Sequence, residues 1–146
     1  MTMESIYQGI AAQIKSIFSG AKVHSERIPK NSEGKYFIGL ISQSTDEKLD
    51  NGCEEKYAFE ILFFRDSETN LGFAEWAQKL HRNFLKIDVG EFDVWVTEKE
   101  SRKTDEFVYQ FTFSIRLRLR EKKNGTKMLN IDQEVKYGEK NGAGGK

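Results

Sequence analysis

The sequence predicts an α+β domain: an antiparallel-dominated sheet of four to five strands with two helices packed on one face. Three observations predict it. Two segments repeat apolar residues every three or four positions, as an amphipathic helix does. Several others alternate apolar and polar residues, as a half-buried strand does. The order is helix, strands, helix, strands, without the strand–helix–strand alternation that builds a parallel sheet.

The first helix is "TMESIYQGIAAQIKSIFSG". Ile6, Ile10, Ile14 and Ile17 form its stripe, widened by Ala11 and Phe18. Thr2 or Ser5 caps its start, Glu4 suits the positive end of its dipole, and Gly20 closes it in the left-handed region. "AKVHSERIP" reads as a short polar strand stopped by Pro29, and "NSEG" as a turn. In "KYFIGLIS", Tyr36, Ile38 and Leu40 lie on one face and Phe37 and Ile41 on the other, which predicts a strand buried on both sides. Asn51-Gly52 is a strong hairpin signal. "YAFEILFFR" returns as a strand with Tyr57, Phe59, Ile61 and Phe63 on one face. The hairpin tip, roughly Gln43 to Lys56, is expected in solvent.

"SETNLGFAEWAQKLHRNFLKI" is the second helix, with Phe73, Ala77, Leu80 and Phe84 on its stripe and Trp76 beside it. "DVGE" turns the chain, "FDVWVTEK" is a strand, and "ESRKTDE" is a polar turn. The strand that follows is long. Phe107, Tyr109, Phe111, Phe113, Ile115, Leu117 and Leu119 alternate with Val108, Gln110, Thr112, Ser114, Arg116, Arg118 and Arg120. "MLNIDQEV" is compatible with a helix or a last strand. The domain is expected to span residues 1–137, with a disordered glycine-rich tail over residues 138–146.

Composition narrows the function classes. Length is that of one domain, and no run reaches the ~18 apolar residues of a membrane span. The start of the chain lacks a signal-peptide pattern. Lysines and arginines balance aspartates and glutamates, 23 against 23, whereas phosphate-binding chains are usually basic. The single Cys53 has no intrachain partner and points to a reducing compartment such as a cytoplasm. Eleven phenylalanines point to a packed β-rich core.

Motifs of chemistry are missing. His24 and His81 are far apart in sequence and stand at no metal-ligand spacing. Cys53 has no C-x-x-C neighbour. Glu54 and Glu55 are adjacent and on a strand would point to opposite faces, so they do not form an acid/base pair. "GAGGK" at the C-terminus lacks the spacing of a phosphate loop. No catalytic, cofactor-binding or metal-binding residue, and no cofactor, is expected. The chain is not read as an enzyme.

The informative feature is the long strand. Phe107 to Leu119, thirteen residues at ~3.3 Å each, span about 43 Å, whereas a domain of this size is roughly 36 Å across. The strand therefore bends at a bulge or reaches past its own domain. Its far end is basic: Arg116, Arg118, Arg120, Lys122, Lys123 and Lys127 stand against Glu121. The hairpin region is acidic: Asp46, Glu47, Asp50, Glu54, Glu55 and Glu60 stand against Lys48 and Lys56. A basic end and an acidic hairpin that both project are a candidate contact between identical subunits, of the heterologous kind that closes rings. A solvated sheet face is the plainer alternative.

"IYQGIAAQIKSIF", "KYFIGLI", "KYAFEILFF", "AEWAQKLHRNFLKI", "YQFTFSIRLRL" and "KMLNIDQEV" resemble, in order and spacing, the tail terminator (tail completion) family of tailed phages and prophages. The resemblance covers roughly residues 4 to 137. Relatives often carry a proline just before the aromatic of the "YFI" strand; here Gly34 and Lys35 stand in that place. The resemblance implies a structural protein that forms a ring, usually hexameric. Its partners would be other copies of itself, the tail tube protein and head-tail connector proteins, with DNA only as passing cargo and no membrane. It implies a place at the head-proximal end of the virion tail, reached from the host cytoplasm during assembly. Arg116, Arg118 and Arg120 would line the lumen or meet Asp46, Glu47, Glu54 and Glu55 of a neighbour. Another head-tail or neck adaptor is the alternative, and a small nucleic-acid-binding module using residues 116–127 is a further one.

Overall fold

A computed structural model describes residues 2–25, 34–47, 52–65, 70–105, 108–121 and 127–128. Its elements run α1 (Met3–Ile17), β1 (Lys22–His24), β2 (Lys35–Glu47), β3 (Gly52–Phe64), α2 (Asn70–Asn83), β4 (Lys86–Asp88), β5 (Asp93–Trp95), β6 (Thr97–Asp105), β7 (Val108–Glu121) and β8 (Lys127–Met128). The main sheet has the order β1-β2-β3-β7-β6, with β8 on β7, and β4 and β5 form a separate pair. All pairings are antiparallel except β1 with β2. This is the α+β fold that the sequence predicts. The domain limit at residue 137, the segment after Met128, the stop at Pro29 and Asn51 of the hairpin turn lie outside the described residues.

α1 starts where its chemistry says. The Thr2 side chain accepts the Ser5 amide at 3.1 Å, and the Ser5 hydroxyl accepts the Thr2 amide at 3.0 Å, a reciprocal cap. The helix ends at Phe18 in extended conformation, and Gly20, with φ 82°, lies in the loop beyond. Ile6, Ile10 and Ile14 are fully buried. They share one core with Leu80 and Phe84 of the α2 region and with Tyr36, Ile38, Phe59, Ile61, Tyr109, Phe111 and Phe113 of the sheet. Those sheet residues all belong to one face, so both helices pack on that side.

The core is aromatic at one end. Trp76 of α2 donates its indole N–H to the Tyr36 hydroxyl at 3.0 Å. Phe63 stacks on Tyr36 at 4.3 Å between ring centres. At the other end Phe84 meets Phe113 edge to face at 4.8 Å. Ring pairs of this kind add about 0.5–1.5 kcal/mol beyond the area they bury.

Five local expectations change. The helix expected through "FLKI" stops at Asn83, and Lys86–Asp88 becomes β4. Phe84 still closes the apolar stripe, donating its amide to the Leu80 carbonyl at 2.9 Å. "FDVWVTEK" divides into β5 and β6 around Val96. "ESRKTDE", expected as a turn, lies largely in β6. An edge strand needs apolar residues only where a helix covers it, so its polar composition hid it. β2 is not buried on both sides: Leu40 and Ile41 are 39% and 51% exposed, beside a register shift between Leu40 and Ser42. The hairpin tip is not all in solvent either, because Gly52 and Cys53 are buried.

Candidate functional site

The long strand carries no bulge against β3. β7 pairs with β3 from Val108 opposite Phe64 to Arg120 opposite Gly52, without a register shift. β2 follows β3 out to Glu47 opposite Cys53. Past Ser114, where the β6 pairing ends, β7 is therefore one strand of an arm, β2-β3-β7, and β8 pairs with its tip at Arg120 and Glu121. Its continuous ladder explains the strand length: β3 and β7 satisfy each other's backbone groups along the whole run.

This register brings the two charged stretches together within one chain. Glu54 stands opposite Arg118 on one side and Asp46 on the other. Lys56 stands opposite Arg116. Residues directly opposite share a face, so Asp46, Glu54, Lys56, Arg116 and Arg118 lie on the side away from the helices. Arg120 is in register with Gly52 at the same parity. Glu55 is turned the other way, opposite Leu117, and accepts the Tyr57 hydroxyl at 2.7 Å. The adjacent pair Glu54 and Glu55 thus points to opposite faces, as strand geometry requires. Glu47, opposite Cys53, is exposed at the end of β2.

Sequence reasoning missed the residue that organises this face. Glu98 of β6 receives Lys56 Nζ at 3.0 Å and an Arg116 guanidinium nitrogen at 2.8 Å. It sits at a register shift between Thr97 and Glu100, with φ 54°. A non-glycine residue there costs about 1–2 kcal/mol. The bulge turns the carboxylate back over β7. The Lys56 hydrogen bond, helped by Arg116, holds its carboxyl below the ordinary carboxylate value against a smaller opposing effect of burial. No pattern in "WVTEKES" announces a bulge, because one extra residue leaves no trace in polar alternation.

On the opposite face, burial and then the Glu55 carboxylate push the Tyr57 hydroxyl above its ordinary range. His81 of α2 stands 3.2 Å from the Ser101 hydroxyl and packs edge-on against Phe111. Burial, then the nearby Lys99 charge, lower its pKa. Among the described residues, no group of three or more His, Cys, Asp or Glu side chains is placed to hold a metal ion. No described helix is long and apolar enough to cross a membrane.

No curated protein matches the chain by sequence. Among solved structures it resembles a chain of the "Virion of native gene transfer agent (GTA) particle" at 12% identity and a TM-score of 0.45, covering 77% of this chain and 90% of that one. The family model described as "Phage tail terminator protein" matches residues 5–127. That span takes in α1 and every strand of the arm, and the chain belongs to the phage tail terminator family.

Proposed function

We propose that the chain is a structural virion protein, without enzymatic activity, that closes into a ring on the head-proximal end of the tail tube. There it stops tube growth and offers a surface to the head connector. It would reach that place from the host cytoplasm. The family match over residues 5–127 carries this reading. The sheet supports it, because strands with open edges are suited to contact with neighbouring copies.

The arm changes the role expected for the arginines. Arg116 and Arg118 already face acids of their own chain, so opposite charge no longer calls for an acidic hairpin from a neighbour. We assign the outer face of the arm to the lumen. Bases there alternate with Glu54, Glu60, Glu98 and Glu100, and Gln110 donates to Glu60 at 2.7 Å. A surface of interleaved signs lets a polyanion pass without holding it, because binding needs unopposed cations.

The test is to add the protein to growing tail tubes and measure their length and end structure by electron microscopy, with mass in solution from light scattering. Tubes capped at one end by a ring are expected. Tubes that grow unchecked, with no added density at either end, would overturn the reading. A salt titration on duplex DNA separates the nucleic-acid alternative, which predicts tight binding that falls steeply with salt.

A further inference from the structure

The sheet has two open sides. β1 lies against β2 only along Lys35–Phe37. Beyond Phe37, no described strand pairs with the outer side of β2, and none pairs with the outer side of β6. A row of unpaired backbone N–H and C=O groups is a template for another strand. The β2 stretch from Ile38 to Glu47 contains no proline and no basic residue. Leu40 and Ile41 are exposed on it. Beside it opens a cleft of about 580 Å³ lined by Tyr7, Ala11, Val23 and Ile38.

We propose that the β2 edge of one copy pairs antiparallel with the β6 edge of a second copy, so that the sheets run on from subunit to subunit. The proposal rests on the ring reading above and names the surface that makes the ring. Strand direction is the first argument. β2, β3, β7 and β6 alternate strictly in direction. With four strands, an even number, the β6 of one copy runs opposite to the β2 of the next. Copies related by rotation about one axis therefore meet antiparallel with their helix layers on the same side. An isologous β2–β2 contact would close after two copies and leave no ring.

Length and stagger are the second argument. β6 runs from Thr97 to Asp105, and the open part of β2 from Ile38 to Glu47, stretches of about 30 Å each. They are offset along the strands: Ser114 links Ala58 and Ser42 on one side to Thr97 on the other, and β2 continues past that point to Glu47. Closing a sheet on itself requires such an offset.

One strand-edge contact falls short of the ~1,600 Å² of a standard stable interface. Copies therefore stay apart in dilute solution and join where a tube end holds them side by side.

The test compares hydrogen exchange of the full chain in dilute solution and on capped tail tubes. In dilute solution the outward-pointing amides of residues 38–45 and 97–104, about half of each stretch, are expected to exchange fast, and on the tubes to slow at least tenfold. In parallel, on a Cys53→Ser background, Ser42→Cys or Ser44→Cys chains are mixed with Arg102→Cys or Thr104→Cys chains on tubes. Disulfide dimers are expected only between unlike chains. Slow exchange of the outward-pointing amides of residues 38–45 in dilute solution would show the edge covered by its own chain and overturn the proposal. Cross-linking of Ser44→Cys chains to each other would overturn it in favour of two-fold contact. Capped tubes with neither protection nor cross-links would overturn edge pairing and leave the ring reading standing. Uncapped tubes would overturn both.

Discussion

At Gly9 the backbone of α1 touches the β4 chain. A Cβ added there would run into the carbonyl oxygen and carbon of Asp88. Both neighbours are backbone, so neither swings aside. Gly9→Ala is expected to destabilise by about 1–3 kcal/mol, measured by urea unfolding; an unchanged midpoint would contradict the close approach. Phe111 is the complementary case. It is fully buried and meets both His81 and Phe84, so Phe111→Ala should cost about 3–5 kcal/mol. A loss below ~1 kcal/mol would be incompatible with this packing. Glu98 carries a pH dependence. Its folded pKa is depressed, so its stabilising contribution is present above the unfolded value and is lost as pH falls through the folded one. Each of its pairs is half exposed and worth only ~0–1 kcal/mol. Glu98→Gln should therefore be slightly less stable than wild type at neutral pH and equal to it once the carboxylate is protonated. A difference that persists in acid would assign the effect to packing. Glu98→Gly, which relieves the backbone, should recover part of the loss.

At the scale of elements, the arm and the end of α2 make separate predictions. Lys99 Nζ donates to the His81 carbonyl at 2.9 Å, at the C-terminal end of α2 where unpaired carbonyls attract a cation. Burial lowers its pKa, yet it keeps this contact. Lys99→Met should lose about 1 kcal/mol, seen as a lower unfolding midpoint. In the arm, the register of Glu54 opposite Arg118 predicts coupling inside the monomer. Glu54→Lys and Arg118→Glu should each destabilise slightly, and the double reversal should recover most of the sum, with about 0.2–1 kcal/mol of coupling. Coupling seen only in assembled rings, and absent from monomer unfolding, would return the contact to a subunit boundary.

At the scale of the whole molecule, the described residues of α1, α2, the β4–β5 pair and the sheet share one apolar cluster. It should unfold as one unit. Fluorescence of Trp76, which is buried against the sheet, and far-ultraviolet circular dichroism should give coincident urea transitions. Separate midpoints would mean that the arm or a helix melts alone. Periodic elements were legible in the chain: both helices, the β3 strand and the long β7 each have a buried face that repeats. The sequence also carried the family resemblance, since element order and apolar spacing survive without any catalytic motif. Tertiary structure alone decided what lacks a period. Most of β6 is polar, and its "ESRKTDE" part reads as a turn until β7 is beside it. The bulges at Ile41 and Glu98 shift register by a residue that no local pattern marks. Above all, the sequence held a basic stretch and an acidic stretch far apart and left a contact between subunits and a solvated face both open. The β3–β7 ladder sets them face to face in one chain, because strand register follows the buried apolar residues on one side and carries the charges on the other along with it.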